Sequence, residues 1–181
     1  MGDRRRVTPQ LQRSEVLLRP GVERDVLPLV ELFDEEAVER WWFAQNEAKV
    51  RKRLADPDQF GWVVEAQQMV RGWIQAGEED DEEYREAWID IAMSPSVHGT
   101  GLALESLWAV MGFLVEHRGH HRVTIDPDVD NTRAVRAYEK AGFRRVGVMR
   151  HYCRRPDGSM GDGLLMEWVL GIDDPLPEPP A

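Results

Sequence analysis

Val97-His98-Gly99-Thr100-Gly101-Leu102-Ala103 sets small residues at alternate positions just ahead of an apolar run with helical spacing. Such a turn leaves successive backbone N–H groups free at a helix N-terminus, where the dipole favours an anion, so its chemistry is that of a pyrophosphate cradle. An ordinary strand-to-helix turn uses the same residues, and a short glycine pattern does not separate the two. Asp90 is a second chemical candidate. It lies mid-strand in Ala87-Trp88-Ile89-Asp90-Ile91-Ala92-Met93, and alternation puts it on a face with Trp88 and Ala92, opposite Ile89, Ile91 and Met93. A carboxylate in a central strand is costly without a partner, so Asp90 is either a functional group or half of a structural ion pair.

Further carboxylates flank the predicted strands. Asp126 precedes Pro127, and Asp157 precedes Gly158 in a predicted hairpin. Both can receive a cationic substrate, and both suit turns, Asp126 as an Asx residue and Asp157 as a hairpin residue. Asp162 is a weaker member of this set. Trp41 and Trp42 are an aromatic pair at a predicted helix end, able to wall a site or to pack on the core. His117, His120 and His121 cluster at a predicted helix end, where the dipole favours protonated histidine. No cysteine or carboxylate pattern completes a ligand set with them, so no metal is expected.

The elements that must hold these residues follow from the pattern of the remaining chain. Its 181 residues suit one domain over 14–170, with polar or proline-rich ends at 1–13 and 171–181 expected to be loose. Ser14 to Arg19 reads as a first strand, and apolar residues from Val22 to Val38 recur at helical spacing. A second helix covers about Glu47 to Leu54. Phe60 to Ala66 and Met69 to Gly77 form a hairpin about Gln67-Gln68, and Glu78 to Glu86, with seven acidic residues in nine, is too charged for the core. The Ala87 strand, an amphipathic helix from Leu102, a strand over Arg122 to Ile125, a helix over Asn131 to Ala141 and two final strands complete the order β-αα-ββ-β-α-β-α-ββ.

A net charge of −10 opposes phosphate backbones and anionic lipid and favours cationic partners, so neither nucleic acid nor a membrane is expected. The acidic 78–86 run can also steer cations toward a site, although such runs are commonly solvated loops. A lone Cys153 makes no internal disulfide, no run has signal-peptide or membrane-spanning character, and Arg6 breaks the myristoylation pattern opened by Met1-Gly2. A cytoplasmic location is the expectation.

The segment Asp126-Pro127-Asp128-Val129-Asp130-Asn131-Thr132-Arg133-Ala134-Val135-Arg136-Ala137-Tyr138-Glu139-Lys140-Ala141-Gly142-Phe143 resembles the signature helix of the GNAT superfamily of acetyl-CoA-dependent N-acyltransferases. That family pairs an Asn-x-x-Ala-x-x-x-Tyr-x-x-x-Gly-Phe helix with an upstream Arg/Gln-x-x-Gly-x-Gly/Ala turn. Both stand here in order, with His98 where the turn usually has Arg or Gln. Within the superfamily, Val38-Glu39-Arg40-Trp41-Trp42, Ile125-Asp126-Pro127 and Pro156-Asp157-Gly158 look like segments of the aminoglycoside 6′-N-acetyltransferases.

The resemblance implies an α/β (α+β) GNAT fold: a mixed, mostly antiparallel sheet with helices on both faces, splayed beside the glycine turn. It implies acetyl-CoA as cosubstrate, with His98, Gly99, Thr100, Gly101, Leu102 and Ala103 at the pyrophosphate, a backbone N–H near Met93 polarising the thioester, and Asn131 near the thiol end. Tyr138 matches the tyrosine that protonates the departing thiolate. Asp90 is the candidate base, although its spacing to the glycine turn is one residue shorter than the family's. Asp126, Asp157, Trp41 and Trp42 would receive a small cationic amine. Alternatives are another amine acceptor (a protein N-terminus, a polyamine or a siderophore precursor) and a non-catalytic acyl-CoA-binding module. A homodimer is left open.

Overall fold

The computed structural model describes residues 6–81 and 83–178. Residues 1–5 and 179–181 of the two expected loose ends, and Glu82 of the acidic run, lie outside the described residues. The chain begins with a hairpin, β1 (Leu11–Arg13) and β2 (Val16–Pro20), turned at Ser14 with φ +52°. Residues 11–13, expected to be loose, are therefore a strand, and Trp62 Nε1 donates to the Pro9 carbonyl at 2.7 Å just ahead of it. The helical segment is α1 (Val26–Asp34), α2 (Glu36–Glu39) and α3 (Glu47–Leu54). Its expected continuity breaks at Glu35, whose backbone is extended (ψ 124°) and whose carboxylate accepts from Ser94 Oγ at 3.2 Å.

β3 (Phe60–Ala66) and β4 (Met69–Glu79) form the expected hairpin, with Gln67 and Gln68 both left-handed, as a two-residue primed turn requires. β5 (Glu86–Met93), α4 (Leu102–Gly112), β6 (Arg122–Ile125), α5 (Thr132–Ala141), β7 (Arg144–Arg154) and β8 (Met160–Val169) follow. The eight strands make one sheet in the order β1-β2-β3-β4-β5-β6-β8-β7, antiparallel except for β5 beside β6.

Period-two burial divides β5 between two cores, as its alternation predicts. Ile89 faces the larger core with Leu107, Val110, Met111 and Tyr138 from α4 and α5, whereas Ala92 faces a smaller one with Leu29, Phe33, Val50 and Trp73. Asp90 thus lies on the side of α1 and α3.

Three acidic residues of the expected loop lie in strands, Glu78 and Glu79 in β4 and Glu86 in β5, and the first is buried. Glu78, assigned by composition to a solvated loop, extends β4, and its fully buried side chain meets Arg6, Arg118 and His120 at 2.8–2.9 Å. Complementary charges supplied from distant segments make that burial tolerable. The C-terminal end is also tied down, by Trp168 Nε1 to the Asp174 carbonyl at 3.0 Å and Arg13 Nη2 to the Pro177 carbonyl at 2.7 Å. Among the described residues, no helix is long and apolar enough to cross a membrane.

Candidate active site

β5 and β6 pair only through Ala87–Val123 and Trp88–Thr124, after which the two strands part. The Ile89–Met93 half of β5 therefore offers backbone groups to the gap. A cleft of about 480 Å³ adjoins it, lined by Ile91, Ala92 and Met93, by Trp41 and Trp42, by the glycine turn and by one side of α5.

At the turn, Gly99 and Gly101 adopt φ +78° and +89°, conformations that side-chain-bearing residues rarely take. Nothing lies within 4 Å of a Cβ built on either, so the turn faces open space. Gly101 is the N-cap of α4 and supplies no side-chain cap, which leaves the first-turn amides of Ala103 and Leu104, both cleft residues, able to meet an anion. Thr100 and Leu102 shape the turn: Thr100 Oγ1 donates to the Val97 carbonyl at 2.8 Å and accepts from Leu102 N at 3.4 Å. These features fit a pyrophosphate.

His98 lines the same end. Burial, and then the charge of Arg133, hold its imidazole below the ordinary histidine range, and its ring also bonds the Met93 backbone. Arg133 Nη1 lies 2.8 Å from His98 Nδ1. Arg133, Arg136 and Lys140, spaced by three and four residues on α5, all line the cleft. The net acidic charge masked this row in the sequence, where helical spacing from Asn131 was the one signal that could have found it. Asn131 caps α5 through Oδ1, accepting from Ala134 N at 3.2 Å, which leaves its NH₂ group for the cleft it also lines.

Around Tyr138, which lines the cleft, the charged surroundings are acidic. Asp90 is half-buried, and burial together with the nearby Asp126 charge pushes its carboxyl up to about 6, against the opposing pull of Arg53. Burial raises Asp126 as well, opposed by a hydrogen bond from Tyr152. The Tyr152 phenol is pushed up to about 12, chiefly by that bond. Tyr138 is buried but lines the cleft, and burial followed by the charges of Asp90 and Asp126 keeps its phenol protonated far above neutrality. Asp90, Asp126, Tyr138 and Tyr152 thus form one electrostatic cluster. Tyr152 and Arg53 carried no signal in the sequence, because each reaches the cluster from an element distant in the chain.

Trp41 and Trp42 both wall the cleft, and Trp42 also packs on Phe33 with ring centroids 5.1 Å apart, so wall and core packing coexist. Asp157 is not brought to this cluster. Its carboxylate accepts from Ser159 N at 2.9 Å and Ser159 Oγ at 2.7 Å, building the β7–β8 turn. Its neighbour Pro156 faces Glu35, Glu36, Glu39 and Pro95 across a shallow depression. Among the histidines, His120 approaches Glu78 and Asp80 closely enough to suggest a metal site, but Arg6 and Arg118 already occupy the Glu78 carboxylate.

Residues 15–144 match the model of an acetyltransferase (GNAT) domain. The chain is 27% identical over 167 residues to the aminoglycoside N(6′)-acetyltransferase type 1 of Klebsiella pneumoniae, covering 80% of each chain. It is 30% identical over 144 residues to the spermidine N(1)-acetyltransferase of Escherichia coli (strain K12), covering 75% of this chain and 76% of the relative. The crystal structure of aminoglycoside acetyltransferase AAC(6′)-Ib in complex with coenzyme A superposes with a TM-score of 0.69 at 26% identity, over 85% of this chain and 94% of that one. The domain match over most of the chain agrees with the splayed sheet, the uncapped glycine turn and the helix α5 capped by Asn131: this chain belongs to the GNAT acetyltransferases.

Proposed function

We propose that the chain transfers acetyl from acetyl-CoA directly to a primary amine of a small polycationic acceptor, with the 6′-amine of an aminoglycoside as the leading candidate. The observation that carries this reading is Tyr138, which lines the cleft and whose phenol feels the charges of both Asp90 and Asp126. Two carboxylates whose charges reach one buried tyrosine, one of them half-buried and one exposed, favour a ligand that brings positive charge. The similarity to a spermidine acetyltransferase makes a polyamine the second reading, since it satisfies the same charge pattern.

Acetyl-CoA would lay its pyrophosphate on the Gly99–Ala103 amides and its pantetheine amides along the open half of β5, as an added strand does. A β5 backbone N–H near Met93 would hold the developing oxyanion. An ammonium has no lone pair for attack, so the acceptor must first lose a proton. With its carboxyl at about 6, Asp90 is ionised at pH 7.5 yet basic enough to take that proton. The amine nitrogen then bonds the acetyl carbon, and the C–S bond breaks as the sulfur takes the Tyr138 hydroxyl proton. The second proton released from the nitrogen as the amide forms returns to the Tyr138 phenolate, and Asp90 passes its proton to solvent.

An acetylation panel tests the reading, with kanamycin-type aminoglycosides, spermidine and a peptide N-terminus as acceptors, followed by free-thiol release and mass spectrometry. Monoacetylated aminoglycoside is expected. Acetylation of the peptide alone overturns the polycation reading, and acetyl-CoA binding without thiol release from any amine supports a binding module instead.

A further inference from the structure

Arg53 projects from α3 to the sheet face that carries Asp90. Its guanidinium lies 5.6 Å from the Phe33 ring and 5.2 Å from the Trp42 ring, and Nη1 donates to Gln75 Oε1 at 2.5 Å. Gln75 Oε1 is fixed in turn by Trp73 Nε1 at 3.0 Å. The Arg53 Nε is buried with no partner, and among the described residues no carboxylate lies within ion-pair distance of this side chain. A cation held this way forgoes the local salt bridge that usually offsets its burial.

The sheet register shows what the arrangement achieves. Gln75 is the direct cross-strand neighbour of Asp90, so the two side chains leave the sheet on one face with Cβ atoms about 5 Å apart. The guanidinium that Gln75 anchors is therefore one side chain away from the Asp90 carboxylate. We propose that Arg53 is a positioning residue of the acetyl transfer: a built-in counter-cation that keeps Asp90 ready to accept the proton of the incoming amine. The proposal rests on the reading of Asp90 as that acceptor.

The titratable groups coupled to Asp90 through their charges come from four elements. Asp126 follows β6, Tyr138 lies on α5, Tyr152 on β7 and Arg53 on α3. Asp126 is a like charge that favours a proton on Asp90, and the two tyrosines are neutral at working pH. Arg53 is the positive member of this set and opposes Asp126. The same guanidinium stacks on Trp42, a wall of the cleft, so the proton acceptor and the wall share one support.

The test uses the full chain with Arg53→Met, which keeps the apolar stem, Arg53→Gln as a second neutral variant and Arg53→Lys as the charge-conserving one. The Asp90 carboxyl is followed by ¹³C NMR titration, and kcat/KM for the acceptor is measured from pH 5.5 to 9. Circular dichroism and acetyl-CoA affinity check the fold. In the neutral variants the Asp90 midpoint and the acidic limb of kcat/KM should rise together by about one pH unit or more, roughly a tenfold loss on that limb. Arg53→Lys should restore most of both. An unmoved midpoint in a folded neutral variant overturns the proposal even where Asp90 is the proton acceptor. An Asp90→Asn enzyme with wild-type kcat overturns the reading beneath it, and the proposal with it.

Discussion

Nη1 of Arg133 lies 2.8 Å from Nδ1 of His98, joining the start of α5 to the glycine turn. A guanidinium can only donate, so the His98 ring accepts from Arg133 at Nδ1. Position 98 holds a histidine in place of the Arg or Gln the resemblance leads one to expect, and a cation from another helix is tethered there. Arg133→Ala should therefore weaken coenzyme A binding by roughly tenfold, in keeping with one exposed charge-assisted contact. Titration calorimetry at two salt concentrations checks this, with a smaller difference between wild type and variant at the higher one.

Asp126 and Asp157 separate on structural grounds. Asp126→Asn should raise the acceptor KM by about tenfold and leave the acetyl-CoA KM within twofold, since charge-assisted hydrogen bonds contribute about 1.5–3 kcal/mol each. Asp157→Asn distinguishes cation capture from turn building: capture predicts a raised acceptor KM, whereas its bonds to Ser159 predict only a weaker hairpin. Steady-state kinetics on both single variants resolves the two roles.

Tyr138→Phe should keep the fold, because the ring packs against Phe143 with centroids 6.3 Å apart and loses only its hydroxyl. Turnover should fall by about 10²-fold, the lower end of the usual worth of a general acid, because a thiolate is already a fair leaving group. Both KM values should stay close to wild type. A kcat within twofold of wild type, with chemistry rate-limiting, removes Tyr138 from the reaction.

Glu78 makes acid stability a readout of the buried ion cluster. Burial works against its ionisation, but hydrogen bonds from His120, Arg118 and Arg6 outweigh this and hold the carboxyl far below its usual range. Its folded-state value is depressed, so its contribution is fully present above the unfolded value of about 4.3 and is lost as pH falls toward the folded one. The Tm should decline steeply below about pH 4.5. Glu78→Gln should flatten that decline and cost about 3 kcal/mol near neutrality, measured by urea denaturation.

The architecture was legible from local signals. Alternation along β5, the Gln67-Gln68 hairpin and the spacing of the α5 signature each act within a few residues, and each matches the sheet and helices found. The glycine turn was legible for the same reason, since two glycines and a helix start are contiguous. Arg53, Tyr152 and Arg133 were not. Their roles depend on which strand or helix end lies beside Asp90, Asp126 or His98, and sheet order and register supply that information. Glu78 was misplaced because composition counts charges without showing which distant arginines neutralise them.

The two-pair contact between β5 and β6 ties the protein's endurance to its metabolic setting. A sheet left unzipped at its centre gains cohesion from whatever occupies the gap, and by mass action a ligand present at 100 times its Kd adds about 2.7 kcal/mol to the folded state. If acetyl-CoA fills this gap as proposed, starvation for it would slow turnover and also raise the fraction of molecules that open far enough for proteolysis, so the lifetime of the chain, as well as its rate, would follow acetyl-CoA supply.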